Sequence, residues 1–319
     1  MFGFFRGKGG VKREVSEEYK REAERYELKN DVNNLHYSSE EARQAGFVFD
    51  IKTGFIENYI GPDIEELLIP STIGGKEVCW IREACFKGKK IKSVYFPKTM
   101  MYIDKHAFDG CGLESVEFNE GLKGIDCYAF INNNLTKLDL PKSLNCIRIG
   151  AFSYNKLIEV RLHDPVFATD TRNKSITSVG NPFSFNPTLK YIHCTSDKYD
   201  TYGATCLFCP ILKRLIVATD KITVFPEVKV IGDECFAGLN ISDLEIPYGV
   251  EIIGDNFLAG TQVKKLTLAN SVKQVTANTF NAENPELIGE PARQIEAVWE
   301  YGDPVRVLQP LPKTSLISS

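Results

Sequence analysis

The sequence of 319 residues lacks several features that would assign a function directly. It has no run of 18 apolar residues, so no segment is long enough to cross a bilayer as a helix. Its four histidines have no second metal ligand at helical or hairpin spacing. The zinc-protease, phosphate-loop and serine-hydrolase motifs are absent. We therefore expect no metal, no cofactor and no catalytic residues, and the chain is not predicted to be an enzyme.

The sequence also lacks a strong excess of charge. Its formal net charge is −4, which gives no reason to expect a nucleic acid or an anionic membrane as partner. The apolar run at residues 1–5 is too short for the core of a signal peptide, and the basic residues follow it rather than precede it. The expectation from these features is a cytoplasmic location.

Paired cysteines are missing as well. The nine cysteines are odd in number and have no paired spacing, which argues against a disulfide framework. Cys206 and Cys209 form a lone Cys-x-x-Cys motif, and a zinc site would need a second pair. We therefore favour buried or loop positions for these two thiols over metal or redox chemistry.

The sequence does contain a repeat with a period of 22 residues. Successive units start at Ile91, Leu113, Leu135 and Leu157, and each has further apolar residues three and five positions later. An Ala-Phe pair recurs at one offset within the units, at Ala107–Phe108, Ala129–Phe130 and Ala151–Phe152. Two motifs that share one period predict a repeat architecture.

The units are too short to bury their own apolar residues, so they must stack on one another. Equivalent residues then meet in neighbouring turns, and the phenylalanine slot should form a buried column of Phe86, Phe108, Phe130, Phe152, Phe236, Leu258 and Phe280. A proline after several strands ends the hydrogen-bond ladder at a corner. Two residues after the phenylalanine slot, a positive φ is expected at Gly88, Gly110, Gly238 and Gly260.

The units resemble the BspA-like leucine-rich repeat of the Treponema pallidum type, whose pattern is similar to Leu-x-x-Val-x-Ile-Pro-x-x-Val-x-x-Ile-Gly-x-x-Ala-Phe-x-Gly-Cys. Ile103–Cys111 and Val230–Gly238 match this pattern closely, and Ile69–Val78 is similar to the start of such arrays. The resemblance covers residues 64–283 and implies a leucine-rich-repeat fold and a role in binding. Many family members are surface or secreted proteins of host-associated bacteria and protozoa, so a surface or secreted location is the alternative to the cytoplasm.

The expected fold is a repeat solenoid, namely a curved leucine-rich-repeat array of about nine turns with a parallel β-sheet on its concave face. The array is expected over residues 47–284 and opens with a capping hairpin at 47–63. Its repeats become irregular over 163–210, where Pro165, Pro182, Pro187 and extra residues break the period. Residues 285–319 are expected to form a closing hairpin and a tail.

Residues 1–46 differ from the array and are expected to be helical. Glu14–Asn30 is rich in charge and has a helically spaced apolar face, formed by Val15, Tyr19, Ala23 and Tyr26. Ser38 and Glu41 form a capping-box pattern, which predicts a short helix closed by Gly46. The favoured interpretation is that these helices cover the open end of the array. Binding or dimerisation, and disorder, are the alternatives.

Candidate binding residues lie two and four positions after each unit start, where side chains should face away from the core. Most carry mixed charges, as a solvated strand face does. Tyr191, His193, Arg161 and Arg214 bring aromatic and guanidinium groups together beside the irregular repeats, and these groups are enriched at interface hot spots. Tyr95 occupies an equivalent position. These five residues are the predicted partner-binding set.

The leading hypothesis is a non-enzymatic module that binds a protein partner through the concave face of the array. One alternative is a surface-exposed or secreted adhesin-like repeat protein that binds host proteins. A second alternative is an enzyme built on the irregular stretch 163–210, which would require a pocket that brings several ionisable groups together.

Overall fold

The computed structural model describes residues 27, 31–163, 180–210, 214–220, 224–269 and 271–273, and the backbone of the strands at 166–168, 274–276, 286–288, 294–300 and 303–309. Two predictions fall on other residues. The helix predicted at Glu14–Asn30 lies outside the described residues apart from Glu27, and so does Phe280 of the predicted column.

The described chain consists mostly of short strands joined by turns. Helix α1 spans Ser39–Gln44, and a 3₁₀ turn spans Val32–Asn34. The strands, in chain order, are β1 His36–Tyr37, β2 Phe47–Asp50, β3 Phe55–Tyr59, β4 Glu66–Leu68, β5 Thr72–Ile73, β6 Lys76–Glu77, β7 Trp80–Ile81, β8 Ser93–Tyr95, β9 Tyr102–Ile103, β10 Ser115–Glu117, β11 Gly124–Ile125, β12 Lys137–Asp139, β13 Cys146–Arg148, β14 Glu159–Leu162, β15 Val166–Ala168, β16 Tyr191–Cys194, β17 Cys206–Cys209, β18 Arg214–Ala218, β19 Val230–Ile231, β20 Asp243–Ile246, β21 Ile252–Ile253, β22 Lys265–Leu268, β23 Gln274–Thr276, β24 Glu286–Ile288, β25 Gln294–Glu300 and β26 Asp303–Gln309.

The repeats contribute two series of strands, which we call the front and back strands. The front strands form three parallel sheets with the orders β4-β8-β10, β12-β14-β16 and β20-β22-β24. The back strands form two seven-stranded sheets with the orders β2-β3-β7-β9-β11-β13-β15 and β17-β18-β19-β21-β23-β26-β25. Val94 pairs with Val116 in front and Ile103 pairs with Ile125 behind, so each residue meets its own equivalent in the next unit. Among the described strands, no sheet closes on itself.

A column of phenylalanine rings runs through the core, as predicted. Phe86, Phe108, Phe130 and Phe152 stack in order, with successive ring centroids 4.9, 5.2 and 5.2 Å apart. All four side chains are fully buried. The spacing follows from the separation of neighbouring strands, about 4.8 Å. Phe183 continues the column with a centroid distance of 5.9 Å from Phe152, although the 22-residue period does not reach it.

Three buried asparagines tie consecutive turns together. The Asn155 side-chain amide donates to three backbone carbonyls at 2.9–3.2 Å, and its oxygen accepts from the Leu135 N–H at 3.0 Å. Asn133 and Asn186 make the equivalent contacts. One unit earlier the slot holds Cys111, whose thiol donates to a backbone carbonyl at 3.0 Å. The asparagines therefore satisfy backbone groups that the tight turns would otherwise leave buried without partners.

The turn two residues after the phenylalanine slot has the predicted positive φ. The values are between +67° and +75° at Gly88, Gly110, Gly238 and Gly260. Asn132, Tyr154 and Phe185 adopt the same conformation without being glycine, with φ between +54° and +60°. The Tyr154 and Phe185 rings stack on each other with their centroids 4.3 Å apart. Ring stacking between turns thus accompanies a backbone conformation that is costly for these residues.

Antiparallel hairpins occur near both ends of the repeats, as predicted. β2 and β3 pair with each other at one edge of the first back sheet, and β25 and β26 do so at the far edge of the second. The predicted capping box of α1 is confirmed: the Ser38 hydroxyl accepts from the Glu41 N–H at 3.2 Å, and the Glu41 carboxylate accepts from the Ser38 N–H at 2.7 Å. Gly46 follows the helix with a φ of +94°.

One repeat is enlarged by an insertion, and this corrects the sequence interpretation. Backbone hydrogen bonds stack the turn of Phe183 directly on the turn of Phe236, since the Phe185 N–H donates to the Ala237 carbonyl at 2.9 Å. The sequence places Arg214 two positions after a unit start, which predicts a further strand of the front series there. That prediction is wrong, because β18 forms a hairpin with β17 and pairs on its other side with back strand β19.

The phenylalanine column should dominate local stability. We expect Phe130→Ala to lower the free energy of unfolding by about 3–5 kcal/mol, because the cavity would lie between two stacked rings. Chemical denaturation followed by circular dichroism measures this change. Tyr248→Ala is the control, since Tyr248 is 75% exposed, and it should change the free energy by less than about 0.5 kcal/mol. Equal effects of the two substitutions would contradict the column.

The asparagine contacts predict a second stability effect. Asn155→Ala should lower the free energy of unfolding by about 3 kcal/mol, because the Leu135 N–H and several carbonyls would remain buried without partners. The same denaturation experiment on Asn145→Ala supplies the control, since Asn145 is exposed in the same unit. A loss for Asn155→Ala no larger than that for Asn145→Ala would show that the contacts contribute little.

Candidate partner-binding surface

Three predicted binding residues lie together on the outer side of two adjacent front strands. β14 and β16 pair in parallel, with Glu159 opposite Tyr191 and Arg161 opposite His193. The side chains of Arg161 and His193 are 60% and 49% exposed, and Tyr191 is 44% exposed. The alternation along each strand turns these side chains outward while their neighbours fill the core. We call Glu159, Arg161, Tyr191 and His193 the β14–β16 patch.

A single carboxylate organises the β14–β16 patch. The Arg161 Nε donates to the Glu159 Oε1 at 2.9 Å, and the His193 Nε2 lies 3.5 Å from the same oxygen. The hydrogen bond from Arg161, together with its charge, holds the pKa of Glu159 below its usual range. The Tyr191 and His193 rings lie nearly parallel, with centroids 6.5 Å apart. The patch thus presents a guanidinium and two rings held in place on strands, which suits binding through aromatic and polar contacts.

The other two predicted binding residues are not on this surface, and the predicted exposure of both is wrong. Tyr95 lies on β8 and is only 2% exposed, and Ser93 on the same strand is 8% exposed. Arg214 is 5% exposed and lies on β18, among the back strands. Its strand satisfies the apolar template of a front strand, but the hairpin with β17 draws it into the back sheet.

Arg214 instead belongs to a polar cluster next to the insertion, in which Arg214 and Ser184 are buried and Asp233 and Glu234 are half-buried. Among the described residues, its Nε has no hydrogen-bond partner, and burial lowers the pKa of the guanidinium. Burial raises the pKa of Asp233 to about 7, although one of its oxygens accepts from the Asp255 N–H at 2.9 Å. Glu234 accepts from the Ser184 hydroxyl at 2.6 Å. Sequence reasoning missed this cluster, because its members are brought together only by the stacking of the enlarged repeat.

The Cys-x-x-Cys motif is part of the protein interior. Cys206 and Cys209 both lie on β17 and are buried. Burial raises the pKa of Cys206 to about 12, which keeps the thiol protonated at neutral pH. Within the part of the chain that the structure describes, no group of three or more His, Cys, Asp or Glu residues could hold a metal ion. The two buried thiols therefore suit a role in packing the inserted β17–β18 hairpin.

A cavity of about 370 Å³ is lined by residues at and just after the ends of back strands β7, β9, β11 and β13. Four of its lining residues form a row at one repeat position, namely Arg82, Asp104, Asp126 and Arg148. Arg82 and Asp104 approach to 3.3 Å, and Arg148 and Asp126 approach to 3.6 Å. The Trp80 indole N–H also donates to Asp104 at 2.7 Å. Because these charges neutralise one another along the row, the cavity has no excess charge that would select a ligand.

Comparison with known proteins agrees with this architecture. The model of the BspA-type leucine-rich-repeat region matches six copies, at residues 80–172 and 216–288, which together make up just over half of the chain. The protein belongs to the BspA-type leucine-rich-repeat family. No curated protein matches the chain. The fold of this BspA-type protein is accordingly a leucine-rich-repeat fold that is mostly strand with very little helix.

Solved structures resemble the BspA-type protein in fold alone. A leucine-rich-repeat protein from Eubacterium ventriosum has 19% identity and a TM-score of 0.53, over 66% of this chain. This chain covers only 56% of that protein's length. The pneumococcal vaccine antigen PcpA has 18% identity and a TM-score of 0.43, over 69% of this chain and 75% of its own. Among the described helices of the BspA-type protein, none has the length and apolar character needed to span a membrane.

The raised pKa of Asp233 predicts how stability depends on pH. The folded state keeps this carboxyl protonated to about pH 7, whereas an unfolded aspartate loses its proton near pH 4. Its contribution to the free energy of unfolding should therefore fall as the pH rises from about 4 to 7, and stay low above that. Asp233→Asn removes this charge and can still accept from the Asp255 N–H.

Thermal unfolding at pH 4.5 and pH 8 measures the effect. The melting temperature of the Asp233→Asn variant, relative to the wild type, should be higher at pH 8 than at pH 4.5. Asp243→Asn is the control, because Asp243 is exposed on β20, and it should show no such pH-dependent gain. A gain for Asp233→Asn that is the same at both pH values would contradict the assignment.

Proposed function

We propose that this protein is a non-enzymatic binding module that holds a protein partner against its front strands, with the β14–β16 patch at the centre of the contact. The repeat family is typical of protein-interaction modules, and the fold has no evident catalytic domain among the described residues. The observation that carries the proposal is the joint exposure of Arg161, Tyr191 and His193 on paired strands. None of the three side chains is needed to fill the core.

The chemistry of the patch indicates what the partner should offer. Glu159 holds Arg161 with a hydrogen bond to Nε, which leaves the two terminal guanidinium nitrogens to donate to a carboxylate or to backbone carbonyls. Tyr191 supplies a ring and a hydroxyl on a side chain with few rotatable bonds, so little conformational entropy is lost on binding. A partner surface with an acidic group beside an apolar or aromatic residue fits this arrangement.

The proposed binding mode also includes a curvature of the array. About nine turns would curve with the front strands on the concave side. Residues on β12, β14 and β16 would then converge on one partner rather than diverge. The exposed outer residues Lys137 and Asp139 on β12 would form the edge of the contact, where charges affect association rate more than affinity.

A second candidate is a surface-exposed or secreted adhesin-like protein that binds host proteins. The resemblance of the repeats to those of surface proteins supports it. The two candidates share the binding surface but differ in location. Fractionation of the native cells distinguishes them, because the adhesin-like function requires the protein in the cell-surface or culture fraction, and recovery only from the cytosol would exclude it.

Affinity capture tests the proposed surface. Wild-type protein and the triple variant Arg161→Ala, Tyr191→Ala, His193→Ala would each be used to capture proteins from a lysate of the native organism and from host-cell extract. A partner retained by the wild type should be recovered at least tenfold less with the triple variant, since hot-spot side chains cost about 1–2 kcal/mol or more each.

The matched control is the double variant Glu245→Ala, Lys265→Ala, which changes exposed front residues on β20 and β22. It should retain the partner as the wild type does, and circular dichroism should show all three proteins folded. Equal recovery by the triple variant and the wild type would place the binding surface elsewhere.

A further inference from the structure

The cavity at the ends of the back strands brings together groups of opposite charge from four successive turns. Its lining includes three cations and three carboxylates, at Arg82, Lys105, Arg148, Glu83, Asp104 and Asp126. The formal charge of the lining is therefore zero. The volume of about 370 Å³ lies at the lower end of the range of about 300–1,000 Å³ found for small-ligand sites. A cavity of this size and charge suits a small neutral ligand that carries polar groups.

The row of Arg82, Asp104, Asp126 and Arg148 has donors at its two ends and acceptors between them. A guanidinium can only donate hydrogen bonds, whereas an ionised carboxylate can only accept them. Neighbouring turns are about 4.8 Å apart, so each carboxylate of the row lies one turn from a guanidinium. A hydroxyl both donates and accepts, and a sugar has hydroxyls on successive ring carbons. One sugar ring can therefore donate to a carboxylate and accept from a guanidinium at the same time.

The two carboxylates of the row are held in place and remain accessible. Asp104 accepts from the Trp80 indole N–H at 2.7 Å and from Arg82 at 3.3 Å. Asp126 accepts from the Cys127 N–H at 2.6 Å. The two carboxylate side chains are 19% and 34% exposed, respectively. A carboxylate can accept about four hydrogen bonds, and these contacts from the described residues fill only part of that capacity.

An aromatic ring, that of Tyr128, forms part of the cavity wall. The Tyr128 backbone has a φ of +59°, which is costly for a bulky residue and is a form of strain that clusters at binding sites. The ring stacks on His106 with the centroids 5.4 Å apart, and it lies over Gly150, where a Cβ would collide with it. Neighbours on both sides therefore fix the ring beside the polar row, where it can pack against the apolar C–H groups of a sugar.

We propose that this cavity binds a neutral sugar. The carboxylates of Asp104 and Asp126 would accept from its hydroxyls, and Arg148 would donate to them. The Tyr128 ring would cover its C–H groups. A charged ligand gains no net attraction from a lining whose formal charge is zero. The inference goes beyond the proposed function and does not depend on it, since the cavity lies at the back strands and the β14–β16 patch lies on the front strands.

Saturation-transfer-difference NMR of the full chain tests this assignment. The probes are the neutral sugars methyl α-glucoside, methyl α-mannoside, methyl β-galactoside and N-acetylglucosamine, with glucuronic acid and glucosamine as charged comparisons. At least one neutral sugar should receive saturation from the wild type, and more than either charged probe. Asp126→Asn should weaken its binding by about tenfold, the loss expected for a hydrogen bond to a charged group.

Tyr128→Gly separates binding from folding. It removes the ring at a position where glycine adopts the left-handed conformation without steric cost, so the melting temperature should not fall while sugar binding is lost. Tyr154→Gly is its matched control, because Tyr154 has a φ of +54° and is not part of the cavity lining. Asp243→Asn, on exposed β20, is the control for Asp126→Asn. Both controls should bind the sugar as the wild type does.

The outcomes separate a binding site from a purely structural row of ion pairs. Loss of sugar binding in Tyr128→Gly and Asp126→Asn, but not in the two controls, supports the site. Absence of binding by every neutral sugar would overturn the inference, and the row would then only hold the turns together. Preferential binding of a charged probe would overturn it as well. So would equal sugar binding by the wild type and the two cavity variants, or an equal loss in the controls.

Discussion

The structure depends on one constraint: every residue of a turn must pack against its own equivalent in the next turn. Strand spacing sets the separation of these equivalents, and flat rings such as Phe108 and Phe130 fill it by stacking with centroids 5.2 Å apart. The same constraint places buried asparagines in register, where each satisfies the backbone of two turns. The core contacts form between residues of adjacent turns. The side chains that point outward take no part in them and are therefore free to vary.

The outward side chains differ in chemistry and in exposure along the front strands. At β14 and β16, outward positions hold a guanidinium and two rings that one carboxylate, Glu159, keeps in place. At β8 the outward positions are covered. The enlarged repeat shows that the constraint also tolerates insertion: the turns of Phe183 and Phe236 still stack, and the inserted β17–β18 hairpin joins the back sheet. The Arg214–Asp233 cluster forms where that hairpin meets the stack.

Most of the fold could be predicted from the sequence, because the same residue types recur at the same positions of successive repeats. The Ala-Phe spacing predicts the ring column, and Ser38 with Glu41 predicts the start of α1. Arg214 could not be placed, since three apolar positions fit either strand series and only the distant pairing with β17 decides between them. The burial of Tyr95 could not be predicted either, because the alternation of side chains along a strand shows which way a side chain points but not what lies over it. The exposure of Arg161 and His193 agrees with the alternation, because both side chains point outward and stay accessible.

We propose that a partner binds the front strands from β12 to β16. Cross-linking mass spectrometry of a purified complex tests it most directly, because Lys137 and Lys190 border the β14–β16 patch. By contrast, Lys105 lines the cavity beside the back strands, and Lys123 directly precedes back strand β11. We expect cross-links to the partner from Lys137 and Lys190. Cross-links from Lys105 and Lys123 alone would contradict it.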